Sequence, residues 1–201
     1  MPSPVSSSDA RRALRRQLLQ ARRAVDESQR SQLQRVAQRL AYQDPWLRRA
    51  GRVAAYHALP SEAPTDRLLD ALHQQGKQLY LPRVVGNRMY FVHYAREDRL
   101  QTHRLGMAQP HGPWLPSKRA LDVVIVPLVG FDRRGYRMGM GGGFYDRCFA
   151  RHLTARAWTR PRLIGLAFEA QAVDHLPVEP HDVPLDAIIT ERGMTRFPRS
   201  R

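Results

Sequence analysis

The sequence holds a single cysteine in 201 residues, Cys148, which excludes an intramolecular disulfide framework and a cysteine-rich zinc site. It lacks any apolar run approaching the ~20 residues that a helix needs to cross a bilayer, so no membrane span is expected. The Ser/Pro-rich stretch from Met1 to Asp9 has no apolar core of the kind a secretory signal carries, and the expected compartment is the cytoplasm. Aromatic residues make up 8% and apolar residues 42%, ordinary values for a globular chain long enough to hold a core without covalent or metal staples. Lysine is scarce as well. Lys77 and Lys118 are the two present, so the formal net charge of +15 is carried almost wholly by arginine.

That charge is uneven. Residues 1–52 hold twelve arginines against four acids (Asp9, Asp26, Glu27 and Asp44), while the rest is spread thinly. A nucleic-acid partner is disfavoured, because no recognition helix, zinc finger, RNP-type aromatic motif or KH-type loop accompanies the charge. A site for small polyanions such as nucleotides uses the same charge with fewer special elements.

The apolar pattern begins with helices and then alternates. Asp9 is placed to cap a helix whose stripe reads Ala10, Ala13, Leu14, Leu18 and Ala21. Asp26 and Gln29 form a capping-box pair for a second helix burying Leu33, Val36, Ala37 and Leu40, which Pro45 should end. From Arg52 onward strands are expected at 52–58, 78–81, 89–94, 122–127, 162–168 and 187–190, with helices at 66–75 and 143–153. Val123 to Val126 is apolar at every position, as a central parallel strand should be. The expected fold is α/β: a three-layer, mainly parallel Rossmann-like sheet with helices on both faces and an N-terminal helical pair. We expect a flexible N-terminus at 1–8, one domain over 9–191, and a basic C-terminal tail at 192–201.

The strongest local signal runs from Gly130 to Arg147. A buried strand feeds Gly139-Met140-Gly141-Gly142-Gly143, and a helix opens at Phe144. Glycines let a backbone approach a ligand and adopt positive φ, and Arg137 and Arg147 flank the run. No Gly-Lys-Ser/Thr occurs, which excludes a Walker P-loop, and the dinucleotide spacing is absent after the first strand. From the residues alone the run reads either as a phosphate cradle or as a flexible turn with a positive surface. Asp146 likewise reads as a helix-start charge or as a metal ligand. Cys148 reads as a packed helix residue.

Taken with Leu166-Ala167-Phe168, Asp174, the stretch from Leu176 to Asp186 and Ile188-Ile189-Thr190-Glu191, the glycine run resembles the 5-formyltetrahydrofolate cyclo-ligase family, also called methenyltetrahydrofolate synthetase. The match runs in order along nearly the whole chain. The resemblance implies ATP- and Mg²⁺-dependent cyclisation of 5-formyltetrahydrofolate, monoglutamyl or polyglutamylated, to 5,10-methenyltetrahydrofolate with release of ADP and phosphate. It further implies ATP contacts from Arg11, Arg15, Arg137, Gly139, Met140, Gly141, Gly142, Gly143, Phe144 and Tyr145, with Arg137 and Tyr145 catalytic. Folate would meet Leu59, Glu62 and Met140 to Phe144, and Asp146 and Asp186 would hold the magnesium. Three positions depart from the family pattern: Gly142 stands where some relatives have Lys, Phe144 replaces Tyr, and Pro64 stands where some relatives place an acid. The alternative is a basic relative that binds nucleotide or nucleic acid without cyclo-ligase activity.

Overall fold

The computed structural model describes residues 7–103, 106–150 and 160–198. The N-terminal segment 1–6, any continuation of the loop helix past Ala150 to Leu153, Trp158 and the last three residues lie outside the described residues.

The first helix, α1 (Ser7–Arg23), starts two residues before Asp9, so that carboxylate sits in the first turn rather than at the cap. The second, α2 (Glu27–Gln43), has the expected capping box: the Asp26 side chain accepts from the Gln29 N–H at 2.8 Å. Asp44 then caps the short α3 (Pro45–Arg49), whose Pro45 occupies a position where no N–H is required.

A seven-stranded sheet forms the centre. Its order is β12-β11-β9-β6-β1-β2-β3, with β1 (Arg52–Ala54), β2 (Gln78–Val85), β6 (Val123–Pro127), β9 (Arg162–Leu166) and β11 (Ala187–Thr190) mutually parallel. The edge strands β3 (Arg88–Tyr94) and β12 (Gly193–Arg196) run antiparallel. The chain beyond 191 is therefore not simply a basic tail: Gly193, at φ +130°, turns it back onto β11 as an edge strand. Strand β2 also continues through Pro82, where an end was expected. The Tyr80 carbonyl faces β1, accepting from the Ala55 N–H, so Pro82 faces the same side two residues on. There β1 has already finished pairing, and the missing N–H costs no ladder bond.

The alternation along β6 divides the core. Val123 and Ile125 join Leu33, Leu47, Leu68 and Leu72 under α2, α3 and α4 (Asp66–Gln74). Val124 and Val126 face Phe149, Phe131, Val183 and Leu185 on the other side. The two faces are covered differently. Among the described residues, the second face is covered by the short α5 (Phe144–Phe149) and by a hairpin of β7 (Gly130–Asp132) and β8 (Arg137–Met138). Two small pairings complete the strands: β4 (Leu100–Thr102) with β5 (Ala108–Pro110), and β10 (Ala172–Val173) with β7.

The N-terminal pair also divides. Helix α2 builds one face of the sheet, whereas α1 lies over the hairpin, with Leu18 packed on Val129, Met138 and Leu176. A Cβ on Gly130 would collide with Leu18, so that glycine lets α1 come close. The hairpin turn is organised by Asp132, which is fully buried. Its carboxylate accepts from the N–H groups of Arg134, Tyr136 and Leu176 and from the Arg134 guanidinium at 2.6–3.1 Å.

Replacing Asp132 by Ala strands several of these donors at once. We expect D132A to lose about 3 kcal/mol, a fall in Tm of roughly 6–12 °C. Thermal unfolding of D132A within a degree of the parent would show that the turn does not depend on this carboxylate.

Candidate functional site

Strand β6 delivers the chain to the carboxyl end of the parallel sheet, the side on which such sheets bind ligands. The β7–β8 hairpin folds back there, with the Val129 N–H donating to the Met138 carbonyl at 2.7 Å. The chain then emerges as residues 139–143. Gly139, Met140, Gly141 and Gly142 are exposed, Met140 by 63%. Gly141 and Gly143 have φ of +99° and +59°, conformations that disfavour any side chain.

Two arginines bracket the run. Half-buried Arg15, on α1, donates from Nε to the Gly139 carbonyl at 3.0 Å and lies 3.9 Å from where a Gly141 Cβ would be. Exposed Arg147, on α5, places its guanidinium 2.7 Å from a Cβ built on Gly143, and over the Phe144 ring at 5.1 Å. A Cβ at Gly143 would thus meet the Arg147 guanidinium, whereas one at Gly141 would touch Arg15 only at ordinary contact distance.

Arg137 behaves differently from the phosphate contact expected of it. Its side chain is turned inward, with 5% exposure, donating to the Val183 carbonyl and to Asp146 Oδ1 at 2.8 Å. The Val183 N–H donates to the same Oδ1 at 3.1 Å. Arg137 thus braces the loop helix against the segment before β11. Arg11 is also engaged elsewhere: it donates to the Pro177 carbonyl at 2.6 Å and to Asp182 Oδ2 at 3.3 Å. Asp182 closes its own turn by accepting from the Glu179 N–H at 2.8 Å, so the stretch from Leu176 to Asp186 is a docking strap for α1. Arg11, Arg15 and Arg22 thus make contacts within the fold.

The Leu59–Glu62 turn follows β1 and is closed on itself. Glu62 Oε2 accepts from the Leu59 N–H at 3.0 Å, and the Glu62 N–H returns to the Leu59 carbonyl at 2.8 Å. Burial raises the Glu62 pKa above the ordinary carboxylate value, opposed by the Leu59 N–H and by Arg22. Burial also pushes the Tyr145 phenol far up, and the Glu62 charge adds to that. Tyr145 is thereby a neutral hydroxyl donor at any working pH, beside an acid, with its ring stacked 6.5 Å from Phe149. Glu62 and Tyr145 are thus near enough for the charge of one to act on the other, and Tyr145 follows the glycine run directly after Phe144.

The two aspartates differ in their surroundings. Asp146 is partly exposed, at 21% of its side chain, on the loop helix. Asp186 is buried at the amino end of β11, where Oδ2 accepts from the Leu163 N–H at 2.8 Å and Oδ1 lies 3.8 Å from Arg160. Among the described residues no three His, Cys, Asp or Glu side chains cluster as a metal group. Asp146 fits a cation held mainly by nucleotide phosphates, since Mg²⁺ commonly takes one protein carboxylate; the environment of Asp186 does not fit a shared ligand.

Residues 7–191 match the 5-formyltetrahydrofolate cyclo-ligase family. The chain belongs to that family. It is 38% identical to the 5-formyltetrahydrofolate cyclo-ligase of Escherichia coli K12 over 183 residues, covering 85% of this chain and 94% of that protein. The Mycolicibacterium smegmatis enzyme of the same name is 34% identical over 202 residues, covering 96% and 97%. Among solved structures, the Aquifex aeolicus 5,10-methenyltetrahydrofolate synthetase superposes with a TM-score of 0.80 at 27% identity, over 95% of this chain and 94% of that one. The Mycoplasma pneumoniae synthetase gives 0.69 at 26%, over 90% and 98%.

Against that family frame, three features escaped the sequence reading. Arg22 is one; it lies four residues beyond Leu18 on the buried stripe, so a charge on an apolar face was the available signal. The others are Arg88 and Lys118. With Arg147 they rim a cleft of about 510 Å³ on the far face of α5, walled by Phe91, Leu115, Phe144 and Cys148. Among the described residues no acidic side chain lines it. Cys148 is buried, its thiol pushed up by burial against the opposing effect of Lys118, in keeping with a packed residue.

Proposed function

We propose that this cyclo-ligase closes 5-formyltetrahydrofolate to 5,10-methenyltetrahydrofolate in the cytoplasm, driven by ATP, through a phosphorylated formyl intermediate. Family membership supports the reaction. The observation that carries the chemistry is the exposed glycine run set between Arg15 and Arg147, next to Glu62 and Tyr145.

The formyl oxygen is a poor leaving group, so ring closure needs it activated. It attacks the γ-phosphorus, the bond to the β-phosphate breaks, and ADP departs. N10 then adds to the formyl carbon and loses its proton, and phosphate leaves with the C–O bond as the methenyl bridge forms. Such a reaction asks for alignment and charge screening more than for a strong base. The amides of residues 139–143 would receive the terminal phosphates, with Arg15 and Arg147 screening their charge. Glu62 would accept from the pterin N–H groups, and Tyr145 would donate to the substrate from its neutral hydroxyl. Magnesium, on the side of Asp146, would neutralise phosphate charge. Arg137 serves by holding Asp146 and α5 in register. The glutamate end of the folate would follow the far side of Phe144 into the basic cleft.

The reading predicts an ATP-dependent rise in methenyl absorbance with pure protein, and its absence would overturn it. Arg137→Ala and Asp146→Asn should each lower kcat about 100-fold or more while leaving the protein folded. Parental rates in both would reduce the glycine run to a turn. Lys118→Ala and Arg88→Ala should raise KM about tenfold for a polyglutamyl substrate, with a smaller change for the monoglutamate. An equal effect on both substrates would take the tail out of the cleft.

A further inference from the structure

The Leu59–Glu62 turn carries the acid assigned to the pterin, and beyond the two hydrogen bonds that close it on itself it is held from outside. Two arginines from different helices grip it. Arg30, on α2, donates to the carbonyls of Pro60 and Glu62, both at 3.2 Å. Arg22, on α1, is 3% exposed and reaches three groups. It donates to Ser61 Oγ at 3.0 Å and to the Leu128 carbonyl at 3.3 Å, and its Nη1 lies 3.9 Å from Glu62 Oε1. Its Nε is buried with no hydrogen-bond partner. A guanidinium so desolvated is costly to keep, and a stabilising role alone would be met as well by an apolar residue.

We propose that Arg22 is a positioning residue for Glu62: from the buried face of α1 it fixes the turn and sets its charge opposite the carboxylate that receives the folate. This rests on the folate reading of Glu62 given above. The groups facing that carboxylate are few. Arg22 comes from α1, Tyr56 from the chain after β1, Tyr145 from α5, and the Leu59 N–H from the turn itself, while Arg30 holds the backbone. Both tyrosines are neutral, with the Tyr56 hydroxyl donating to the Ala63 carbonyl at 3.0 Å. Arg22 is therefore the one side-chain cation among these groups that opposes protonation of Glu62. Burial favours the acid form, so its removal leaves Glu62 protonating at a higher pH. The anion is present above its pKa and lost as pH falls, and the acid limb of the folate kcat/KM must move upward.

Arg22→Gln, Arg22→Lys and Glu62→Gln, each in the full chain, test this with pH profiles and separate KM values for folate and ATP. For R22Q we expect the folate KM to rise about tenfold at pH 7, the ATP KM to stay, and the acid limb to move up by about one pH unit. R22K should restore the limb, and the limb should be absent from E62Q with or without R22Q. An unchanged acid limb in a folded R22Q, or equal loss for folate and ATP, would overturn the proposal. Should R22Q not fold, Ser61→Ala loosens the guanidinium without removing charge; a raised folate KM with the limb moved up supports it, and no change in either refutes it. A parental folate KM in E62Q would instead break the reading on which the proposal stands.

Discussion

Arg137, Asp146 and the backbone of Val183 close a triangle on which the candidate site depends. The arginine leaves β8 pointing inward, takes the carboxylate that opens α5, and reaches the carbonyl of Val183, while the Val183 N–H completes the ring on the same carboxylate oxygen. Three separate pieces of chain are fixed by one charge-assisted knot: the hairpin, the loop helix and the segment before β11. The glycine run spans the gap between Met138 and Phe144, so its two ends are set by that knot, leaving the intervening backbone exposed and free of side-chain bulk. A loop held only by glycines would be a poor receptor for phosphate; one anchored at both ends is pre-organised.

The surroundings of the run complete its character. On one side α1 lies over the hairpin because Gly130 admits Leu18, and the same helix brings Arg15 to Gly139. On the other side consecutive residues of α5 look in different directions: Tyr145 toward Glu62, Phe144 and Arg147 toward the basic cleft. A long amphipathic anion could in this way be engaged on both faces of one short helix, with the reacting end beside the glycines. The electrostatics agree with this division of labour, since the buried acid and the neutral phenol sit together while Arg88, Lys118 and Arg147 rim the cleft.

Much of the architecture was legible because the sheet is written in local terms. The all-apolar run of Val123 to Val126 can only be a strand buried on both faces, and Asp26 with Gln29 marks a helix start by chemistry alone. Reading failed where tertiary context decides. Pro82 breaks a strand in general, but not where the neighbour has ended; β12 has little apolar content and gains its pairing from an edge that only the fold supplies. In the site, the residue types were readable and their directions were not. Arg137 was legible as a cation beside the loop, yet its inward course depends on Val183, 46 residues away. Asp186 resembles a metal ligand by its place in the pattern, while its carboxylate is committed to the Leu163 N–H. Arg22 and Lys118 carry no motif; each matters through what faces it.

Amide hydrogen exchange over residues 139–143, with and without ATP and magnesium, bears most directly on the central claim. The account predicts that these exposed amides exchange rapidly in the free protein and gain protection on nucleotide binding, with a smaller gain across Tyr145 and Asp146. Saturating nucleotide that protects another region and leaves 139–143 unchanged would contradict it.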